Sequence, residues 1–145
     1  MTINTTLLYP AFILMILTIM SLFVLLFARV VALRGEYVNK DHFKSMNFDA
    51  NKNKWLIIAS RHYENLGILS NVFYICIVLI VILQYTNTTY IILAWLFIGF
   101  RFIHSIIHLT YNNVLQRMAA FLISNCFLIT IVLLLIIQVS STNFK

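Results

Sequence analysis

Long uncharged apolar runs separated by short polar breaks set the organisation of this chain. No charged residue precedes Arg29, and the stretch from Leu7 to Ala28 is unbroken. Leu66 to Gln84 and Met118 to Val139 are comparable runs; a shorter one, from Tyr90 to Phe100, stops at Arg101 and resumes through Ile107 and Leu109. A membrane-spanning helix needs about 20 mostly apolar residues at ~1.5 Å rise each. No segment keeps the period-two alternation of a barrel strand, and hydrocarbon forces a spanning backbone to satisfy its own hydrogen bonds. The pattern predicts an all-α fold, an integral membrane four-helix bundle forming a single transmembrane domain over 1–145. Its helices are expected near 7–33, 55–84, 89–111 and 115–139, with a polar loop at 34–54. The first run reads as a span and not as a cleavable signal, because MTINTT carries no positive charge and no small-residue cleavage site follows.

The few polar residues on these spans are the candidates for chemistry. At 100° per residue, Arg61, Glu64, Asn65, Ile68 and Asn71 share about a third of the second helix's circumference. Arg101, His104, Ser105, His108, Tyr111 and Asn112 make a comparable stripe on the third, and Arg117 and Ser124 share a side of the fourth, with Asn125 a little round from them. Charge within a membrane costs at least ~2.5 kcal/mol near the centre, so such stripes are expected to face the bundle interior and to find partners there. Counting inward from the outer boundary at ~1.5 Å per residue places Asn71, Arg101 and Asn125 at about 20, 17 and 21 Å, deep enough to meet mid-bundle. Arg61, Glu64, Asn65, His108 and Arg117 fall near the inner interface, beside Arg29 and Arg34. An arginine cluster with few carboxylates suits an anionic ligand, because guanidinium is always charged and pairs bidentately with carboxylate. Arg29 and Arg34 are close enough to the interface to snorkel instead; Arg101 is too deep.

Composition and charge then fix the setting. At 62% hydrophobic, 10% charged and a mean hydropathy of +0.96, the chain lacks the balance of a water-soluble domain. Lysines and arginines concentrate between the first and second spans and at the start of the fourth, whereas the connection YTNTT carries no charge. By the positive-inside rule the first and third connections are cytoplasmic and both termini lie outside. The net charge of +6 is therefore topological, and no soluble basic face exists to present to nucleic acid. Cys76 and Cys126 lie at membrane depth and read as packing residues, not as a disulfide. His104 and His108, four apart, could ligate a metal or, with His62, a haem, but no cysteine or carboxylate completes a metal set, so none is expected. A proton-coupled transporter would need a mid-membrane carboxylate, and Glu64 lies near the inner edge.

Three stretches carry a family resemblance: ARVVALRGEYVN (28–39), SRHYENLGILSNVFYI (60–75) and RFIHSIIHLTYNNVLQRMAAF (101–121). They resemble the MAPEG family, membrane-associated proteins in eicosanoid and glutathione metabolism, and most of all its small bacterial-type members. The resemblance runs from about Ala28 to Gln138. It implies a homotrimer whose sites lie between subunits and open toward the cytoplasm, using glutathione as co-substrate against a hydrophobic small molecule. Arg117 matches the arginine credited with stabilising the glutathione thiolate; a cation near a helix N-terminus lowers a thiol's pKa. Arg61 and Asn65 match residues that contact the tripeptide, His104 and His108 match polar positions lining the pocket, and Arg34 matches an arginine reaching across from a neighbour. Arg101 would help position the ligand. Where the family pattern places a glutamate, three residues after the asparagine, this sequence has Ile68, and no proline follows. Glu64 is the nearest carboxylate that could take over that contact. The implied activity is a glutathione-dependent transferase or peroxidase-like reaction; the alternative is a non-catalytic binding or scaffold protein of the same family.

The charge asymmetry makes a direct topological prediction. A cysteine placed at Asn87 should react with a membrane-impermeant maleimide from outside the cell, and one at Asn51 should react only after permeabilisation. The reverse pattern would overturn the orientation.

Overall fold

The computed structural model describes residues 5–35 and 54–142. They form four α-helices: α1 (Leu8–Arg34), α2 (Lys54–Ile82), α3 (Thr88–Leu109) and α4 (Val114–Thr142). All four are long and apolar enough to cross a membrane. Even α3, with 22 residues, reaches about 33 Å at 1.5 Å per residue, against ~30 Å of hydrocarbon. The helices begin and end within a few residues of the ranges expected from the hydropathy pattern. The expected cytoplasmic loop of 34–54 lies, apart from its ends, outside the described residues.

Local sequence explains the tight connections on α3. The α2 helix ends with Gln84 in the left-handed region (φ 59°), where the Tyr85 N–H returns to the Ile80 carbonyl at 2.9 Å and the Gln84 N–H to Val81 at 3.2 Å. This pairing satisfies two of the last-turn carbonyls. Asn87 then caps α3, its Oδ1 accepting from the Tyr90 N–H at 3.1 Å. At the other end Asn112 takes the left-handed turn (φ 49°), and Asn113 Oδ1 accepts from the Gln116 N–H at 3.1 Å, capping α4. Asparagine serves both purposes because its short amide tolerates that backbone and mimics a backbone acceptor.

The closest packing joins α3 to α4 and α1 to α2, while α1 meets α3 only lightly. The main core fills the half of the bundle nearer the α2–α3 connection: Phe73 and Phe97 stack at 4.7 Å between centroids, surrounded by Leu14, Ile77, Ile80, Ile98 and Ile131. Toward the opposite end Ala28, Ala32 and Ala59 let α1 and α2 approach closely, the small-residue packing that hydrocarbon favours. Phe12, Phe23, Phe27 and Ile137 are among many large apolar side chains turned outward, as a lipid solvent allows.

Arg101 ties α3 to α4 at the centre. It is fully buried, with its guanidinium 5.2 Å from the Phe97 ring and 5.1 Å from the Phe121 ring, and its Nη2 donates to Asn125 Oδ1 at 3.2 Å. Two of the three residues expected to meet mid-bundle therefore do so. Asn71 does not: it stands exposed on the outer face of α2. Among the described residues Arg101 Nε and Nη1 have no hydrogen-bond partner, so two aromatic faces and one amide hold the charge.

Asn125→Ala removes that amide and should lower the thermal stability of the detergent-purified protein by about 1–3 kcal/mol, the cost of an unsatisfied buried donor. In an Arg101→Met background the same change should cost much less, since an apolar replacement needs no acceptor. Equal costs in the two backgrounds would show that the amide does not stabilise the guanidinium.

Candidate functional site

Below Arg101, α3 carries His104 and His108 on the same buried face, at the spacing that keeps side chains over one another. The Asn112–Asn113 turn brings the first turns of α4 back against them, which places Arg117 beside both histidines. Arg117 Nη1 donates to Asn112 Oδ1 at 2.8 Å and lies 3.3 Å from His108 Nε2. Guanidinium is a donor only, so His108 Nε2 accepts and its ring proton sits on Nδ1. His104 Nδ1 lies 3.1 Å from the Arg117 carbonyl oxygen. A carbonyl only accepts, so Nδ1 carries the proton and Nε2 is left as a bare acceptor. His62 joins from α2: its ring meets His108 edge-on at 5.4 Å, and His108 meets His104 at 5.6 Å.

Beside this row a cavity of about 260 Å³ opens between α2, α3 and α4, lined by Asn65, His104, Val114, Arg117, Met118 and Phe121. Among the described residues its one cation, Arg117, stands one turn inside the N-terminus of α4, where backbone N–H groups add positive potential. The apolar lining, Val114, Met118 and Phe121, comes from the same helix, and α2 and α3 contribute Asn65 and His104. Such a site can hold an anion at Arg117, offer an amide from Asn65, and shelter an apolar group against Phe121 and Met118. At about 260 Å³ the cavity is slightly smaller than the roughly 300–1,000 Å³ usual for small-molecule pockets. Among the described residues no cluster of three His, Cys, Asp or Glu side chains could hold a metal ion.

The residues singled out in the sequence divide into groups. Asn65, His104 and Arg117 share the cavity. His108 stands behind Arg117 and orients it. Arg101 does not line the cavity; it stacks on Phe121, which does. Arg61, Glu64, Ile68 and Asn71 face outward, with Ile68 70% exposed, and Arg34 is exposed at the end of α1. The expectation that the α2 stripe faces the bundle interior is thus corrected. The opposite face of α2, running through Leu56, Ala59, Leu66, Ser70 and Phe73, is the one that packs inward.

Phe121 lines the cavity and His62 packs against His108, and neither was marked by the polar stripes; Asn112, which closes the third-helix stripe, is the partner of Arg117. His62 lies on that packed apolar face, and the 3.6-residue period from Leu56 to Leu66 carried the signal. Asn112 precedes the fourth span, and its role depends on the turn that returns α4 to α3.

The family model for the MAPEG family matches residues 7–137. No curated protein and no solved structure gives a significant match. The match covers all four spans, the cavity and the histidine row, and the chain belongs to the MAPEG family.

Proposed function

We propose that this protein is a glutathione-dependent transferase or peroxidase-like enzyme of the membrane, acting on hydrophobic electrophiles that reach it from the bilayer. The observation that carries the reading is the meeting of Asn65, His104 and Arg117 around one cavity. Family membership supports glutathione as the co-substrate. Arg117 is fixed by Asn112 and His108, so its charge is already oriented before a thiolate arrives, which avoids reorganisation at the moment of reaction. In the transferase reaction the thiol releases its proton to water and the thiolate sulfur forms a C–S bond with the electrophilic carbon. The sulfur either displaces a leaving group that departs with its bonding pair or adds to an activated double bond whose electron pair then takes up a proton from water. In the peroxidase-like reaction two glutathione molecules reduce a hydroperoxide to an alcohol and water and leave as the disulfide. Arg101 acts at a distance, holding Phe121 in the cavity wall through their stacked contact.

The outward polar stripe of α2 supports a homotrimer with shared sites. Arg61, Glu64 and Asn71 are exposed on a spanning helix, where facing lipid costs several kcal/mol, and a neighbouring subunit would relieve that cost. Arg34 and Arg61 would then reach the ligand from across the interface, and the partial cavity would gain its remaining walls. With both termini outside, the Arg117 end of the bundle faces the cytoplasm, where glutathione is available.

A second reading, a non-catalytic binding or scaffold protein, has one observation in its favour. Ile68 stands where the family pattern has a glutamate, and its side chain cannot grip a ligand ammonium.

Isothermal titration of the detergent-purified protein with glutathione and with its thiol-free analogue separates the two. The enzyme reading expects glutathione to bind. Arg117→Ala should weaken it by about 10- to 150-fold, from the roughly 1.5–3 kcal/mol of a charge-assisted contact, and should weaken the thiol-free analogue less. Ile68→Glu should tighten binding by supplying the missing carboxylate. No binding to wild type and none to Ile68→Glu would leave the scaffold reading.

A further inference from the structure

The light contact between α1 and α3 leaves a second cavity on the other side of the histidine row, sharing no residue with the one at Arg117. It is a groove of about 370 Å³, within the range of small-molecule pockets. Its walls are Leu17, Met20 and Val24 of α1 and Phe102 and Ile106 of α3. Met20 and Ile106 are exposed at its rim, so it opens sideways on the face that meets lipid. Four polar side chains also line it, and they differ in one respect. Ser21 donates to the Thr18 carbonyl at 2.7 Å and Thr110 to the Ile106 carbonyl at 2.6 Å, so both are satisfied within their own chain segments. His62 and Ser105 are not: both are more than nine-tenths buried, and both His62 ring nitrogens and the Ser105 hydroxyl have no partner among the described residues.

Unpaired polar groups in an apolar setting cost about 1–3 kcal/mol each, so their persistence at a groove calls for a partner. We propose that this groove binds an uncharged single-chain lipid bearing a hydroxyl, such as a long-chain alcohol. A neutral imidazole offers one acceptor and one donor, and a serine hydroxyl offers both. A lipid hydroxyl can donate to a His62 ring nitrogen and accept from Ser105, after the serine turns about its one side-chain torsion. Among the described residues the groove contains no cation to meet a carboxylate and no carboxylate to meet an ammonium, which selects an uncharged head. The apolar walls between α1 and α3 take the chain, and the sideways opening lets it enter from the bilayer. The site is separate from glutathione chemistry and stands whether or not glutathione binds.

Photolabelling of the protein in phosphatidylcholine nanodiscs tests this, with a diazirine-bearing long-chain alcohol compared against the matching hydrocarbon and the matching fatty acid. The alcohol should label residues 17–24 and 102–110, about tenfold more than either control. Ser105→Ala and His62→Phe should each cut that labelling by about tenfold, and excess thiol-free glutathione analogue should leave it unchanged. Ser105→Ala, the smaller change, decides if His62→Phe fails to assemble. Equal labelling by the hydrocarbon or the fatty acid would overturn the proposal. So would unchanged labelling in Ser105→Ala, competition by the analogue, or no labelling of these segments because a neighbouring chain fills the groove.

Discussion

Hydrocarbon supplies no hydrogen-bond partner, and that constraint orders the polar residues of this bundle more strongly than hydrophobic burial does. Apolar side chains gain little by leaving lipid for protein, which is why so many large ones stay outside. A polar side chain at membrane depth must instead find a protein group. On α3 and α4 this happens within one chain. Arg101 takes the Asn125 amide and two aromatic faces, Arg117 takes Asn112 and His108, and His104 takes a backbone carbonyl. On α2, Arg61, Glu64 and Asn71 face away from the chain's own helices, whereas Asn65 borders the cavity.

The same division organises the candidate site. The set on α3 and α4 is oriented by its own chain: Arg117 is aimed by two contacts, and the His104 tautomer is set by a carbonyl that can only accept. That preorganised half suits stabilising a thiolate. In the proposed trimer the outward set, which includes Ile68, would complete the site. On that proposal, activity depends on what meets that face.

Much of this was legible in the sequence, and for identifiable reasons. Span number followed from run length, because only a helix satisfies its backbone in lipid. The Arg101–Asn125 contact followed from counting depth along two antiparallel helices. The facing of α2 did not follow, since depth and stripe say which residues share a side but not which side packs. Leu56, Ala59 and Leu66 set that choice, the first two by close approach to α1. His62 was obscured by lying among those packing residues. The groove between α1 and α3 depends on how loosely two helices meet, a property no single helix's pattern contains.

The central claim is that the polar face of α2 lies against neighbouring copies of the chain. A nitroxide attached at Ile68→Cys, with Cys126 replaced by alanine, reads this directly by double electron–electron resonance in lipid nanodiscs. A defined inter-spin distance with the modulation depth of three coupled spins is the expected result. A featureless decay from isolated spins would contradict the claim, leaving Arg61 and Asn71 facing lipid.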